Sequence, residues 1–404
     1  MAKYCKYAKA KFMFSVYLGK HIETKKKAAI KIIKPEIMEN IDMGQIEKEV
    51  DVLKTLDHDN ITRLLDAGYA DLKVRSKTSE VYHIALEVAK GGELFDFISV
   101  TGEFSEDECR YYFHQLVDGM EYLHSVGYSH RDLKTENILL DKHYNLVIAD
   151  FGYASGKDKN TTAVGTEDYM APEILRGDDY QGKVVDIFGM GLILFMMRAR
   201  GKAFMSARPS DDYYRNFCVN KPYKFWSMQS SSKEDGENHF SEEFKDLVNL
   251  LFANNPTHRL TFSEIKEHPW YNGALPTQDE IETSFAERKQ ILSEQLESQA
   301  SEEAAHHEYD PEIFEGRVHR GIELDAEDSQ VLERQEMEYD SDFKRYTEFF
   351  STSSLEELWN CLATYVNDLT KDISFAEEEY GVIAKVSKIE GKHSFANLSI
   401  LSYI

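Results

Sequence analysis

The apolar rhythm of the chain changes at Gly91-Gly92, and that change limits the folds open to it more than any other feature. Before it the apolar runs are short and β-branched. The run A-A-I-K-I-I at 28–33 is closed by Pro35, and a second run at 82–88 is broken by the glycine pair. Both read as strands, since β-branched side chains suit a pleated surface while proline and glycine interrupt it. Between them Ile46, Val50, Leu53 and Leu56 recur at three- and four-residue spacing, one face of an amphipathic helix. From 93 to about 270 the periods are mostly helical, at 111–123, 185–197 and 244–252. A small β-rich lobe with one helix, followed by a larger helical lobe, gives an α+β chain with a cleft between the lobes, where ligands usually bind.

The character changes again after Pro276. T-Q-D-E at 277–280 fits a capping box, and Ile281, Phe285, Ile291 and Leu292 supply an apolar stripe, so a helix is expected over 277–300. Residues 301–340 hold 14 Asp and Glu against 3 Arg and no Lys, so 301–342 reads as a mostly disordered acidic linker. Order is expected to return over 343–404 as a small α+β region, with a helix capped by Ser354 and a strand over 380–386.

A chain of 404 residues with net charge −25 suggests two or three folded units. That charge repels nucleic-acid phosphates and anionic membrane surfaces. The four cysteines form no C-x-x-C pair, which favours free thiols in a reducing compartment. The basic start lacks the apolar run of a signal peptide, and the apolar stretch at 187–197 is shorter than the roughly 18 residues of a membrane span, so a cytoplasmic protein is expected.

Chemistry enters with H-R-D-L-K-T-E-N at 130–137 and with D-F-G at 150–152, Asp150 standing 18 residues after Asp132. Either string alone reads as a solvated polar loop. Both in register, between apolar strands, leave that reading little room. Phosphoryl transfer asks a protein for a cation on the non-transferred phosphates, hard oxygen ligands for a metal ion, and a carboxylate to orient the attacking hydroxyl. The first string resembles the H-R-D-L-x-x-x-N motif of the protein-kinase family, and A-A-I-K at 28–31 resembles that family's V-A-I-K strand. The resemblance covers roughly 1–271 and implies the two-lobed kinase fold, with a small lobe over 1–86 and a helical lobe over 90–271.

By that resemblance Asp132 orients or accepts the substrate hydroxyl proton, Lys134 neutralises the γ-phosphate, and Asn137 and Asp150 ligate Mg²⁺. Lys31 binds the α- and β-phosphates of ATP and pairs with Glu49. Val16, Ala29 and Leu139 sandwich the base beside the backbone of Glu87, Val88 and Ala89, with Leu86 as gatekeeper and Glu93 reaching the ribose. Part of that apolar set also reads as plain core. Glu173 of A-P-E pairs with Arg259, Asp186 braces the catalytic loop, and Phe188 stands where the family usually has tryptophan.

Lys134 resembles the serine/threonine branch, and A-K-G-G-E-L-F-D-F-I at 89–98, with H-P-W at 268–270, resembles the calcium/calmodulin-dependent and AMP-activated-like group. Arg131 beside Asp132 suggests activation by phosphorylation, with Thr162 the candidate acceptor, Thr161 the second, and an upstream kinase as partner. The alternative is a pair of ordinary loop threonines. Glu93 and Glu136 match acidic positions that read an Arg three residues before the target hydroxyl of a protein substrate.

The departure is at 7–12, where Y-A-K-A-K-F looks like L-G-K-G-K-F with both glycines replaced by alanine. Glycine lets a backbone approach phosphates closely, and a Cβ hinders it. Two readings therefore stand, an active Ser/Thr kinase and a pseudokinase scaffold with impaired nucleotide binding. A small-molecule kinase fits less well, because the A-P-E segment looks built to hold peptide. The tail from 347 faintly resembles a kinase-associated C-terminal domain, and the sequence does not speak to oligomeric state.

Overall fold

The computed structural model describes residues 15–21, 26–39, 41–74, 77–231, 233 and 235–304, together with short strands at 316–318, 322–324, 373–378, 381–386 and 396–401. Its compact units are Met1–Leu332 and Glu333–Ile404.

The first unit begins with β1 (Ser15–His21) and β2 (Lys27–Ile33), followed by the single turn α1 (Pro35–Met38) and by α2 (Met43–Thr55). Next come β3 (Leu64–Val74) and β4 (Lys77–Glu87). These strands pair antiparallel in the order β1-β2-β4-β3. Along β2 the side chains alternate: Ala28, Ile30 and Ile32 enter a small core with Tyr17, Leu72 and Val81, while Ala29 and Lys31 face the other side. Helix α2 forms where the 3.6-residue period predicts it, and the Asp42 carboxylate caps it by accepting from the Gly44 N–H at 3.0 Å.

The helical lobe opens with β5 (Gly92–Glu93), α3 (Leu94–Thr101) and α4 (Glu106–Ser125), the last started by a capping box between Ser105 and Glu108. Strands β6 (Ile138–Leu140) and β7 (Leu146–Ile148) form a small sheet with β5. After them come α5 (Pro172–Arg176), α6 (Gly182–Ala199), α7 (Arg215–Cys218), α8 (Pro222–Ser230), α9 (Glu242–Leu251) and α10 (Phe262–Glu267). The apolar stretch 187–197 lies inside α6 and is buried throughout, as a helix apolar on every side must be. Among the described residues no helix is long and apolar enough to cross a membrane.

Helix α11 (Gln278–Ala304) runs past the expected end at 300. Its expected capping box is present, with the Thr277 N–H donating to Glu280 at 2.8 Å and the Glu280 N–H donating back to Thr277 at 3.3 Å. Ile281, Phe285 and Leu292 are buried, but Ile291 is 50% exposed, against the expected stripe. Neighbouring positions on a helix point about 100° apart, so 291 and 292 cannot share one face.

Two short strands, β8 (Gly316–Val318) and β9 (Ile322–Leu324), lie inside the stretch expected to be mostly disordered. They pair with each other, β8 with β3 and β9 with β1, and so close the small-lobe sheet into a barrel. Sheet edges offer unpaired N–H and C=O groups to any extended segment in reach, a tertiary opportunity that composition does not report.

The second unit contains β10 (Ile373–Glu378), β11 (Gly381–Val386) and β12 (Ala396–Leu401) in one antiparallel sheet. β11 matches the strand expected over 380–386. The helix expected after Ser354 and the alanine-substituted loop at 7–12 lie outside the described residues.

Candidate active site

Strand β2 and helix α2 bring the first charged pair together. Lys31 leaves β2 on the face opposite the small core, and Glu49 stands on the buried face of α2, three residues after Ile46 and four before Leu53. The Lys31 ammonium donates to both Glu49 oxygens, at 3.0 and 3.1 Å. Burial alone would lower the Lys31 pKa. Glu49 first, and Asp150 second, outweigh it and hold the pKa above its ordinary value.

The loop after α4 is organised by one buried carboxylate. Asp186, on α6 and 1% exposed, accepts from the His130 N–H at 2.8 Å, the Arg131 N–H at 2.8 Å and the His124 imidazole at 2.8 Å. Arg131 itself has φ 66°, a left-handed backbone rarely adopted by a side-chain-bearing residue. Three hydrogen bonds to one buried carboxylate offset that cost and fix the path of the following residues.

Asp132 is the next residue along, 4% exposed. Its Oδ2 accepts from Lys134 Nζ at 2.8 Å and Asn137 Nδ2 at 3.3 Å. Its Oδ1 accepts from the Thr166 N–H at 2.9 Å and the Thr166 hydroxyl at 3.1 Å, and Lys134 also donates to that hydroxyl at 2.8 Å. The carboxylate, an ammonium and a hydroxyl thus occupy one small volume, as proton handling beside a transferring phosphoryl group requires.

Asn137 donates through Nδ2 to the Asp132 carbonyl at 2.8 Å, which turns its amide oxygen toward other partners. The Asn137 carbonyl accepts from the Ala149 N–H at 2.9 Å and so ties the loop to the residue before Asp150. Asp150 is half-buried and left-handed, φ 63°. No group of three or more His, Cys, Asp or Glu side chains that could hold a metal exists among the described residues. An amide oxygen and one carboxylate are a donor set for a hard cation that takes its remaining ligands from phosphates and water, the habit of Mg²⁺.

The apolar candidates sit where strand alternation leaves an opening. Val16, Ala29, Leu86 and Leu139 are half-buried, while Tyr17, Ala28, Ala85 and Ile138 beside them are buried. Register sets Val16 opposite Lys31 and Ala29 opposite both Leu18 and Leu86. Leu139 faces Glu93 across β5 and β6. Ala89 and Glu93 are buried, and the exposed Glu87 donates its N–H to the Arg63 carbonyl at 2.9 Å.

Farther out, Arg259 donates to the two oxygens of Glu173 at 2.6 and 2.7 Å, with both side chains almost fully buried. The same guanidinium lies 5.0 Å from the Phe188 ring, so phenylalanine supplies the aromatic face at that position. Thr161 and Thr162 are exposed and line one cleft with Lys48, Arg131 and Lys159. Arg131 donates to the Tyr153 carbonyl at 2.8 Å, Asn160 Oδ1 at 3.0 Å and the Tyr180 hydroxyl at 3.3 Å. Sequence reasoning missed Asn160 and Tyr180, which no motif marks, and assigned no role to Thr166. Glu136 accepts from the Tyr169 hydroxyl at 3.2 Å, and burial, then Glu136, raises the Tyr169 pKa.

Comparison with known proteins agrees with this geometry. Residues 13–271 match the family model described as "Protein kinase domain". CBL-interacting protein kinase 11 of Oryza sativa subsp. japonica is 34% identical over 263 residues, 63% of this chain and 48% of that protein. CBL-interacting serine/threonine-protein kinase 8 of Arabidopsis thaliana is 35% identical over 270 residues, 66% of this chain and 55% of that protein. Serine/threonine-protein kinase SAPK4 of Oryza sativa subsp. japonica is 36% identical over 264 residues, 64% of this chain and 68% of that protein. The chain spans about half the length of the first two.

Proposed function

This chain belongs to the protein kinase family, and on that premise we propose that it transfers the γ-phosphoryl group of ATP to serine and threonine hydroxyls of protein substrates. The observation that carries the reading is the paired charge set around one cleft: Lys31 on Glu49, and Lys134 and Thr166 on Asp132. In this reading Lys31 neutralises the α- and β-phosphates. Asp132 orients the substrate hydroxyl and takes its proton as the new oxygen–phosphorus bond forms and the bond to the ADP oxygen breaks. Lys134 holds the charge on the transferring group. Family membership implies ATP and a divalent metal ion, and the oxygen donors Asn137 and Asp150 suit Mg²⁺, which supplies charge neutralisation on the phosphates when bound. Val16, Ala29, Leu139 and the backbone of Glu87 and Ala89 form the base site, and Glu93 lies on its ribose side.

The scaffold reading finds no support: the relatives are named as serine/threonine-protein kinases, and Lys31 pairs with Glu49 and Lys134 with Asp132. Names of the relatives favour serine and threonine. A cytoplasmic setting, an upstream kinase acting on Thr162, and a preference for Arg three residues before the target, read by Glu93 and Glu136, complete the proposal.

The test is transfer of labelled phosphate from Mg-ATP to a basic Ser/Thr peptide, beside Asp150→Ala and Asp132→Asn. Transfer lost in both variants supports the reading. Absence of transfer in the wild type, even after phosphorylation at Thr162, would overturn it.

A further inference from the structure

Helix α11 follows the region matched by the family model, yet it reaches the connection between the lobes. Its Lys289 ammonium donates to the Gly91 carbonyl at 2.6 Å and lies 3.4 Å from the Lys90 carbonyl. These carbonyls belong to the stretch that leads from β4 into β5.

Gly91 is held on its other sides as well. Its N–H donates to the Leu140 carbonyl at 2.7 Å. A Cβ there would stand 2.6 Å from both the Asp141 carbonyl oxygen and Leu140 Cβ, so this backbone lies directly on β6. The next two residues pair in register, Gly92 with Leu140 and Glu93 with Leu139. A displacement of Gly91 therefore moves Glu93 against Leu139, two of the residues assigned above to the nucleotide.

Lys289 has little freedom to follow such a displacement, because its helix is fixed by other contacts. Phe285 lies among the rings of Phe97, Phe104, Tyr112 and Tyr144, at centroid distances of 5.2, 5.2, 5.1 and 5.7 Å. Ser284 donates to Glu108 at 2.7 Å, and Arg288 donates to the Thr101 hydroxyl at 2.9 Å. Burial lowers the Lys289 pKa, with Asp96 opposing, so the carbonyls stand in for water that the ammonium has lost.

We propose that Lys289 is a positioning residue for nucleotide binding: α11 holds the Gly91 carbonyl and thereby sets the register of the connection against which the base lies. The inference rests on the nucleotide reading above. It makes α11 a part of the site and not an appendage to it.

The experiment is direct calorimetric titration of Mg-ATP into the full chain, comparing the wild type with Lys289→Met, which keeps the stem and removes the ammonium. Ser284→Ala serves as a variant that weakens the same helix away from the connection. Lys289→Met is expected to bind ATP about three- to tenfold more weakly, a size usual for residues acting through a network. Its peptide kcat should stay within about twofold, the change falling on the ATP KM. Ser284→Ala should lower the melting temperature and bind ATP as the wild type does. Equal ATP binding by Lys289→Met and wild type overturns the proposal, as does equal weakening by Ser284→Ala. A wild type that binds no ATP overturns the nucleotide reading and this inference together.

Discussion

Arg131 and Thr162 are joined through a single hydroxyl: Tyr180 accepts from the guanidinium at 3.3 Å and donates to the Thr162 carbonyl at 2.8 Å. The residue before the proposed base and the proposed phosphate acceptor therefore already share a hydrogen-bond path. Among the described residues Arg131 Nη2 has no partner, and Lys48 and Lys159 line the same cleft. A phosphate on Thr162 would meet several cations within reach of that guanidinium. Phosphorylation at Thr162 by an added kinase should raise kcat/KM for peptide on the order of tenfold. Thr162→Ala should lose the gain and Thr161→Ala should keep it. Mass-spectrometric mapping beside the rate assay decides the matter, and a gain that follows Thr161 instead would refute the assignment.

The Glu173–Arg259 pair is nearly dry, with side-chain exposures of 5% and 1%. Removing one partner of such a pair strands a buried charge, so Arg259→Ala should cost about 3–5 kcal/mol in urea unfolding. Arg259→Lys should recover little, because an ammonium cannot grip two oxygens and lie over Phe188 at once. The loss should hardly change with salt. A cost below roughly 1 kcal/mol, the range of surface pairs, would show the pair to be solvated.

Lys31 gives a pH signature. Burial pushes its pKa down, but Glu49 and then Asp150 reverse the direction, and it stands above the ordinary value of 10.5. A basic group raised on folding contributes stability that is complete below its unfolded pKa and is lost as pH climbs through the folded one. Glu49→Gln should therefore be less stable by about 2 kcal/mol at neutral pH. The gap to wild type should persist to pH 10.5 and shrink only above it. Denaturant midpoints across that range measure this, and a gap already closed near neutrality contradicts the pairing. Transfer by the same variant should fall on the order of a hundredfold, as when a preorganised charge is misplaced.

Asp186 touches no reacting group in the proposed mechanism, so its substitution separates bracing from chemistry. Asp186→Asn would set an amide against three donors, those of His124, His130 and Arg131. With Arg131 no longer held in its left-handed backbone, kcat should fall roughly ten- to a hundredfold, while peptide KM changes little. A variant with unchanged kcat would show that the loop holds its shape without the carboxylate.

Much of this arrangement is legible in the residues themselves. Periodicity marks the strand that Lys31 closes and the helix that bears Glu49, and the resemblance of A-A-I-K to V-A-I-K implies their pairing. Asp132 and Asn137 lie on the segment that leads from α4 into β6, and Asp150 follows β7; apolar runs mark both strands. The rest depends on tertiary contact. Tyr180 and Asn160 reach Arg131 across loops of no regular period. Lys289 reaches Gly91 over 198 positions of sequence, and nothing in its neighbours distinguishes it from the other charges of α11. The exposed Ile291 shows the reverse error, an apolar residue assigned to a face that its neighbour Leu292 already occupies.

The burial of Phe285 bears on where this catalytic unit stops. The family match ends at 271, but the four rings around Phe285 belong to α3, the loop from α3 to α4, α4 and the turn before β7. A fragment cut at the family boundary would bare Phe97, Phe104, Tyr112 and Tyr144 as one sticky aromatic patch. Such a fragment should self-associate on expression, whereas one carried through Leu292 should stay monodisperse. The unit that evolves as a family and the unit that stays in solution have different ends.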